Sequence, residues 1–189
     1  KMTEAWDIEK GRPEVLVSVH DGGIQIEHPD LQQNIWFGKG FNFVTNSPTL
    51  VPDAHGTHVA GILGAVSNNG IGVAGVAGGD GTTGSGARLM SMQIIGGSSS
   101  EAGYEANSFV YAANNGAVIS QNSWSYNSAD FFPSYTADAI DYFIENAGGN
   151  QLKGGLVVFS AGNNNSEQRY FPAPYSRVIA VAATGPSDE

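Results

Sequence analysis

Short β-branched runs alternate with longer helical patterns along this chain, and that alternation leaves few folds open to it. The runs are VLVSVHD (15–21), LMSMQII (89–95), AVISQNS (117–123), GLVVFSAG (155–162) and VIAVAAT (178–184). Between them lie a helical stretch opening at His55 and helical patterns near 104–114 and 136–147. Strands separated by helices of this length require βαβ crossovers, so the expected fold is α/β: a doubly wound, mostly parallel sheet with helices on both faces. In such sheets functional sites form at the carboxyl ends of the strands, which makes the residues just after each run the ones to read for chemistry.

Composition narrows the function classes. The 189 residues are 41% hydrophobic, enough to bury one sizeable core, and no shift in charge or composition divides them, so residues 1–189 are expected to form one unit. Eighteen acidic against eight basic side chains give a formal net charge of −10, which repels nucleic acid and anionic membrane surfaces and excludes both as expected partners. The absence of cysteine removes thiol nucleophiles and thiolate metal sites. The longest apolar stretches, 156–159 and 178–183, are too short to cross a bilayer, and the N-terminus lacks the apolar centre of a signal peptide, so the chain is cytosolic or a targeting segment has been removed. Two polar segments, GGDGTTGSG (78–86) and NNNSEQRYFPAP (163–174), read as surface loops, and no repeat of 20–50 residues is present. The first fits neither glycine-rich phosphate-binding pattern, which argues against a nucleotide site.

Three positions stand out for chemistry. Asp21 ends the first run and precedes Gly22 and Gly23, which sets a carboxylate at the sheet's carboxyl edge; alone, it equally reads as a turn cap. His55 opens H-G-T-H-V-A-G at an exposed helix start, with His58 expected to point into the fold one turn later. Asn163 follows Ser160, Ala161 and Gly162, and by itself reads as the first residue of a turn.

Taken together, VSVHDGGIQIEHPDL, HGTHVAG and VVFSAGNNN resemble the subtilase family of serine proteases, and the similarity runs from about residue 15 to 183. The resemblance implies a serine endopeptidase acting on peptide or protein substrates through an Asp/His/Ser triad. It makes Asp21 the orienting acid, His55 the general base and Asn163 the donor to the oxyanion. It places Ser123, Trp124 and Ser125 on one wall of the primary specificity pocket and Ser160, Ala161 and Gly162 on the other, although Ser125 stands where the family usually has glycine. It also makes S-N-N-G-I-G-V (67–73) a structural calcium loop, with a side-chain oxygen from Asn69, carbonyls from Ser67, Ile71 and Val73, and a carboxylate from Asp30. An ordinary Asn-Gly turn is the alternative. His20 departs from the apolar residue usual in the family, and strand alternation turns it away from Asp21 into a structural role.

The family's nucleophile lies in a G-T-S-M-A motif, and no G-T-S occurs in these residues. The serines of 84–86, 96–100 and 122–126 match loop or cleft positions instead. The chain is therefore expected to be the N-terminal part of a catalytic domain whose C-terminal portion is absent, inactive by itself. Three origins are open: a truncation, a two-chain enzyme completed by a complementary fragment, or a pseudo-protease that only binds. An unfinished sheet edge would favour self-association. The family also implies a secreted or cell-envelope location. A metal-dependent hydrolase built on His55 and His58 is a weaker alternative, since no third ligand is placed by motif.

Overall fold

The computed structural model describes residues 2–97 and 103–185. The elements are a short helix α1 (Met2–Trp6), β1 (Leu16–Asp21), β2 (Ile35–Asn42), α2 (Ala54–Gly64), β3 (Arg88–Gln93), α3 (Tyr104–Asn114), β4 (Ile119–Asn122), α4 (Ser134–Asn146), β5 (Leu156–Ser160) and β6 (Ile179–Val181). The six strands form one sheet in the order β2-β3-β1-β4-β5-β6, and every neighbouring pair is parallel. The five runs read from the sequence are β1, β3, β4, β5 and β6. Strand β2 is an addition, and Ser98, Ser99 and Ser100 of the 96–100 run lie outside the described residues.

Alternation along the strands sends side chains into two cores. Val17 and Val19 of β1 and Leu89 of β3 pack with Ala60 of α2 on one face. On the other, Leu16, Met90, Met92, Val157 and Phe159 pack with Phe109 of α3 and with Ile140 and Phe143 of α4. The sheet is therefore covered on both sides, as the alternation of runs and helices demands. Helix α4 buries Thr136, Ala139, Ile140 and Phe143, the i, i+3, i+4, i+7 stripe of a helix with one face in a core. Helix α2 buries Gly56, Ala60 and Gly64, a row of small residues that lets its axis come close to the sheet.

The order of the strands decides where a site can form. From β1 the chain first adds β2 and β3 on one side, then β4, β5 and β6 on the other. Strand β1 is thus the switch point of the sheet, and Asp21 is its last residue.

Candidate active site

Two elements bring Asp21 and His55 together. Asp21 is fully buried at the end of β1, and its Oδ1 accepts a hydrogen bond from the Gly22 amide at 2.6 Å and one from His55 Nδ1 at 2.7 Å. His55 sits in the first turn of α2, which is capped by Asp53: the Asp53 Oδ1 accepts from the backbone N–H of His55 at 2.9 Å and of Gly56 at 3.1 Å. Free N–H groups at a helix start must find acceptors, and an aspartate at the N-cap supplies one. Gly56 is needed where the helix meets the strand end, because a Cβ there would come within 2.1 Å of the Gly22 carbonyl oxygen.

The couple has the polarity of a base with its orienting acid. The Asp21 side chain is 1% exposed and the His55 side chain 59% exposed, so one partner is fixed in the protein and the other opens to solvent. With the carboxylate ionised, Nδ1 carries the proton and Nε2 is left as the basic nitrogen. The hydrogen bond to Asp21 raises the His55 pKa above its ordinary value, helped by the charges of Asp21 and Asp53, while burial opposes it. Burial pushes the Asp21 carboxyl up, and the bonds from His55 and Gly22 partly offset that.

The other candidate residues share this edge in part. Strand register aligns His20 with Asn122 and Asn122 with Phe159, so the next residues, Asp21, Ser123 and Ser160, lie side by side at the carboxyl ends of β1, β4 and β5. Ser123 accepts a bond from Gln121 Nε2 at 2.8 Å, and Trp124 donates from Nε1 to Asn122 at 3.2 Å. The Trp124 ring meets Phe159 and Tyr126 edge-on, which anchors 123–125 to β5. Ser125 is half-buried, while Ala161, Gly162 and Asn163 lie exposed beyond β5, with Gly162 at φ +92° and Ala161 donating to the Val181 carbonyl at 2.8 Å. No bond among the described residues ties Asn163 to the Asp21–His55 couple.

His58 departs from expectation: it is exposed rather than turned into the fold. The cause is the i, i+4, i+8 row of α2, which gives the sheet to Gly56, Ala60 and Gly64 and leaves the opposite face, with His58 and Ile62, outside. Those two residues line a groove of about 760 Å³ together with His28 and Val76. Asp53 went unread as well, although an aspartate just before the helix start is an N-cap signal that the sequence carries.

The 67–73 segment closes around Asp30, which is 3% exposed. Its Oδ1 accepts from Asn69 Nδ2 at 2.8 Å and its Oδ2 from the Val73 amide at 2.9 Å, and Gly72 lies so close that a Cβ would meet Oδ2 at 2.3 Å. Asn69 Oδ1 accepts from the Ile71 amide at 2.9 Å. The Ser67 hydroxyl is buried with no hydrogen-bond partner among the described residues, while both Asp30 carboxylate oxygens are taken by N–H donors, one of them the Val73 backbone. The oxygen types that Asp30 and the segment carry, a carboxylate, a side-chain amide oxygen and backbone carbonyls, are those a hard cation takes. Among the described residues no group of three or more His, Cys, Asp or Glu side chains could hold a metal.

Comparison with known proteins decides the family. The model of the subtilase family of peptidases matches residues 12–189. The chain belongs to the subtilase family. It is 34% identical over 187 residues to thermitase of Thermoactinomyces vulgaris, covering 98% of this chain and 60% of thermitase. It is 34% identical over 196 residues to a calcium-dependent protease of Trichormus variabilis, covering 95% of this chain and 28% of that protein. Among solved structures, a protease of Pseudoalteromonas arctica superposes with a TM-score of 0.75 at 27% identity, over 97% of this chain and 60% of that one. This subtilase chain thus spans less than two thirds of the length of these relatives.

Proposed function

We propose that this subtilase chain carries the acid–base half of a serine endopeptidase that hydrolyses peptide bonds through an acyl-enzyme. The observation that carries the reading is the 2.7 Å bond between buried Asp21 and exposed His55 at the switch point of the sheet. A serine hydroxyl is a weak nucleophile near neutral pH. His55 Nε2 takes its proton during attack on the scissile carbonyl, then returns it to the leaving amine. Asp21 holds the imidazole by Nδ1 and stabilises its positive form. Asn163 donates from its side-chain amide to the oxyanion, while 123–125 pair with the substrate backbone and, with 160–162, wall the side-chain pocket. The base must be neutral, and Asp21 raises its pKa, so turnover rises with pH through a midpoint above that of an ordinary histidine.

The nucleophile comes from a segment outside these 189 residues, in the same polypeptide or in a companion chain, and β6 offers the edge to which further strands would add, with Ile179 and Val181 half exposed. The substrate is a peptide or protein, in a secreted or cell-envelope setting. The test is intact mass spectrometry after exposure to a fluorophosphonate, which labels only an activated serine. Labelling of a longer form or a co-purifying polypeptide supports the proposal. Labelling of these residues themselves would mean that the nucleophile has been misassigned, and no labelling of any form would leave a pseudo-protease that binds peptide.

Calcium would be held by Asp30, Asn69 and the carbonyls of Ser67, Ile71 and Val73. The ion would balance the buried Asp30 charge and lock the 67–73 segment; it takes no part in bond cleavage. Calcium titration should raise the melting temperature, and Asp30→Asn should remove the rise. An unchanged melting temperature in the parent protein would rule the site out.

A further inference from the structure

We infer that Asp53, which neither the family motifs nor the triad includes, is a positioning residue for the Asp21–His55 couple, acting by its cap and by its charge. The inference rests on the reading of that couple as the acid–base pair. Three contacts carry it. The Asp53 carboxylate fixes the first turn of α2 through the amides of His55 and Gly56. The Asp53 backbone N–H donates to the Gly23 carbonyl at 2.7 Å, which fastens the helix start to the segment leaving β1. The Asp53 side chain also lies directly on Gly22: a Cβ added there would meet its Oδ1 at 2.4 Å. Gly22 is the residue whose amide donates to Asp21. One side chain therefore touches the His55 backbone and the glycine whose amide holds Asp21, and no side chain at position 22 could share the space.

Its charge matters because the Asp21 carboxylate is already committed. Asp21 Oδ1 takes both available donors, and its Oδ2 is buried with no hydrogen-bond partner among the described residues. A second carboxylate beside the exposed imidazole favours the protonated ring without another bond to it. Asp21 from β1 and Asp53 at the head of α2 are the two charged groups that act on His55; Asp53 raises the proton affinity of both partners. A plain helix cap would hold α2 equally well with a neutral side chain, and this distinguishes the two roles.

The experiment is an NMR titration of the His55 ring protons in the chain as it stands, together with the low-field Nδ1–H resonance that reports the bond to Asp21. Asp53→Asn keeps an oxygen for the cap and the space against Gly22 while removing the charge. The expected result is a lower His55 midpoint, with proton affinity reduced on the order of threefold, a difference that shrinks as salt is added. Asp53→Ser, a shorter neutral cap, should lower the midpoint likewise and keeps the test available should the asparagine variant fold poorly. Asp53→Ala should in addition weaken or abolish the Nδ1–H resonance. An unmoved midpoint in both neutral caps would overturn the electrostatic role, and an intact resonance in Asp53→Ala would overturn the positioning role. The titration needs neither nucleophile nor substrate, so its failure leaves the endopeptidase reading to the labelling experiment.

Discussion

His20 and Asp21 are neighbours on one strand and meet opposite surroundings. Alternation turns His20 to the α3 face, where it is fully buried, stacked on Phe109 at 4.4 Å between centroids, with Nδ1 2.7 Å from Ser108 Oγ and Nε2 3.0 Å from Ser18 Oγ. The structural role expected for it follows from that enclosure. Burial depresses its pKa from 6.5 to about 3. Below pH 6.5 the unfolded chain therefore binds a proton that the folded chain refuses, and stability is lost as pH falls through that window. His20→Asn removes this group, so its loss of stability between pH 6.5 and about 4 should be smaller than the parent's by about 3 kcal/mol. Chemical denaturation at the two pH values measures it, and equal losses in parent and variant would show that His20 is charged in the fold. The role of Asp21 needs more than its own strand, because a carboxylate after a β-run is also an ordinary turn residue until His55 is brought to it.

At the scale of elements, α2 and β2 differ in how plainly the sequence declares them. The H-G-T-H-V-A-G motif marks α2, and the small residues Gly56, Ala60 and Gly64 explain why the helix lies close on β1. Gly56→Ala should cost about 1–3 kcal/mol through its contact with Gly22 and weaken the Nδ1–H resonance of His55, whereas Gly61→Ala, which meets nothing within 4 Å, should be neutral or stabilising by up to about 1 kcal/mol. Denaturation of the two variants checks this, and equal effects would refute the close-approach argument. Strand β2 hides because Gly38, Lys39 and Gly40 interrupt its alternation: Lys39 has φ 60°, and the pairing with β3 shifts register between Ile35 and Gly40. A Cβ at Gly40 would meet the Ser91 carbonyl oxygen at 1.9 Å, so what reads as a loop signal is a strand pressed against its neighbour.

For the whole molecule, the two cores are the two faces of one sheet, and neither can lose the sheet without exposing the other. We therefore expect one cooperative transition in denaturant, with far-ultraviolet circular dichroism and tryptophan fluorescence giving the same midpoint. Two separated midpoints would mean that the β2–β3–β1 side and the β4–β5–β6 side unfold independently. The sequence by itself determined the alternation of strands and helices, the chemical types at the strand ends and the family to which they point, because periodicity and motif are properties of neighbouring residues. Only the tertiary structure decided that β1 lies between β3 and β4, that Asp21 and His55 meet at 2.7 Å, that His58 faces outward and that Asp53 touches both the His55 backbone and Gly22. Those facts depend on how close one element packs on another, and that distance is set by residues far apart in the chain.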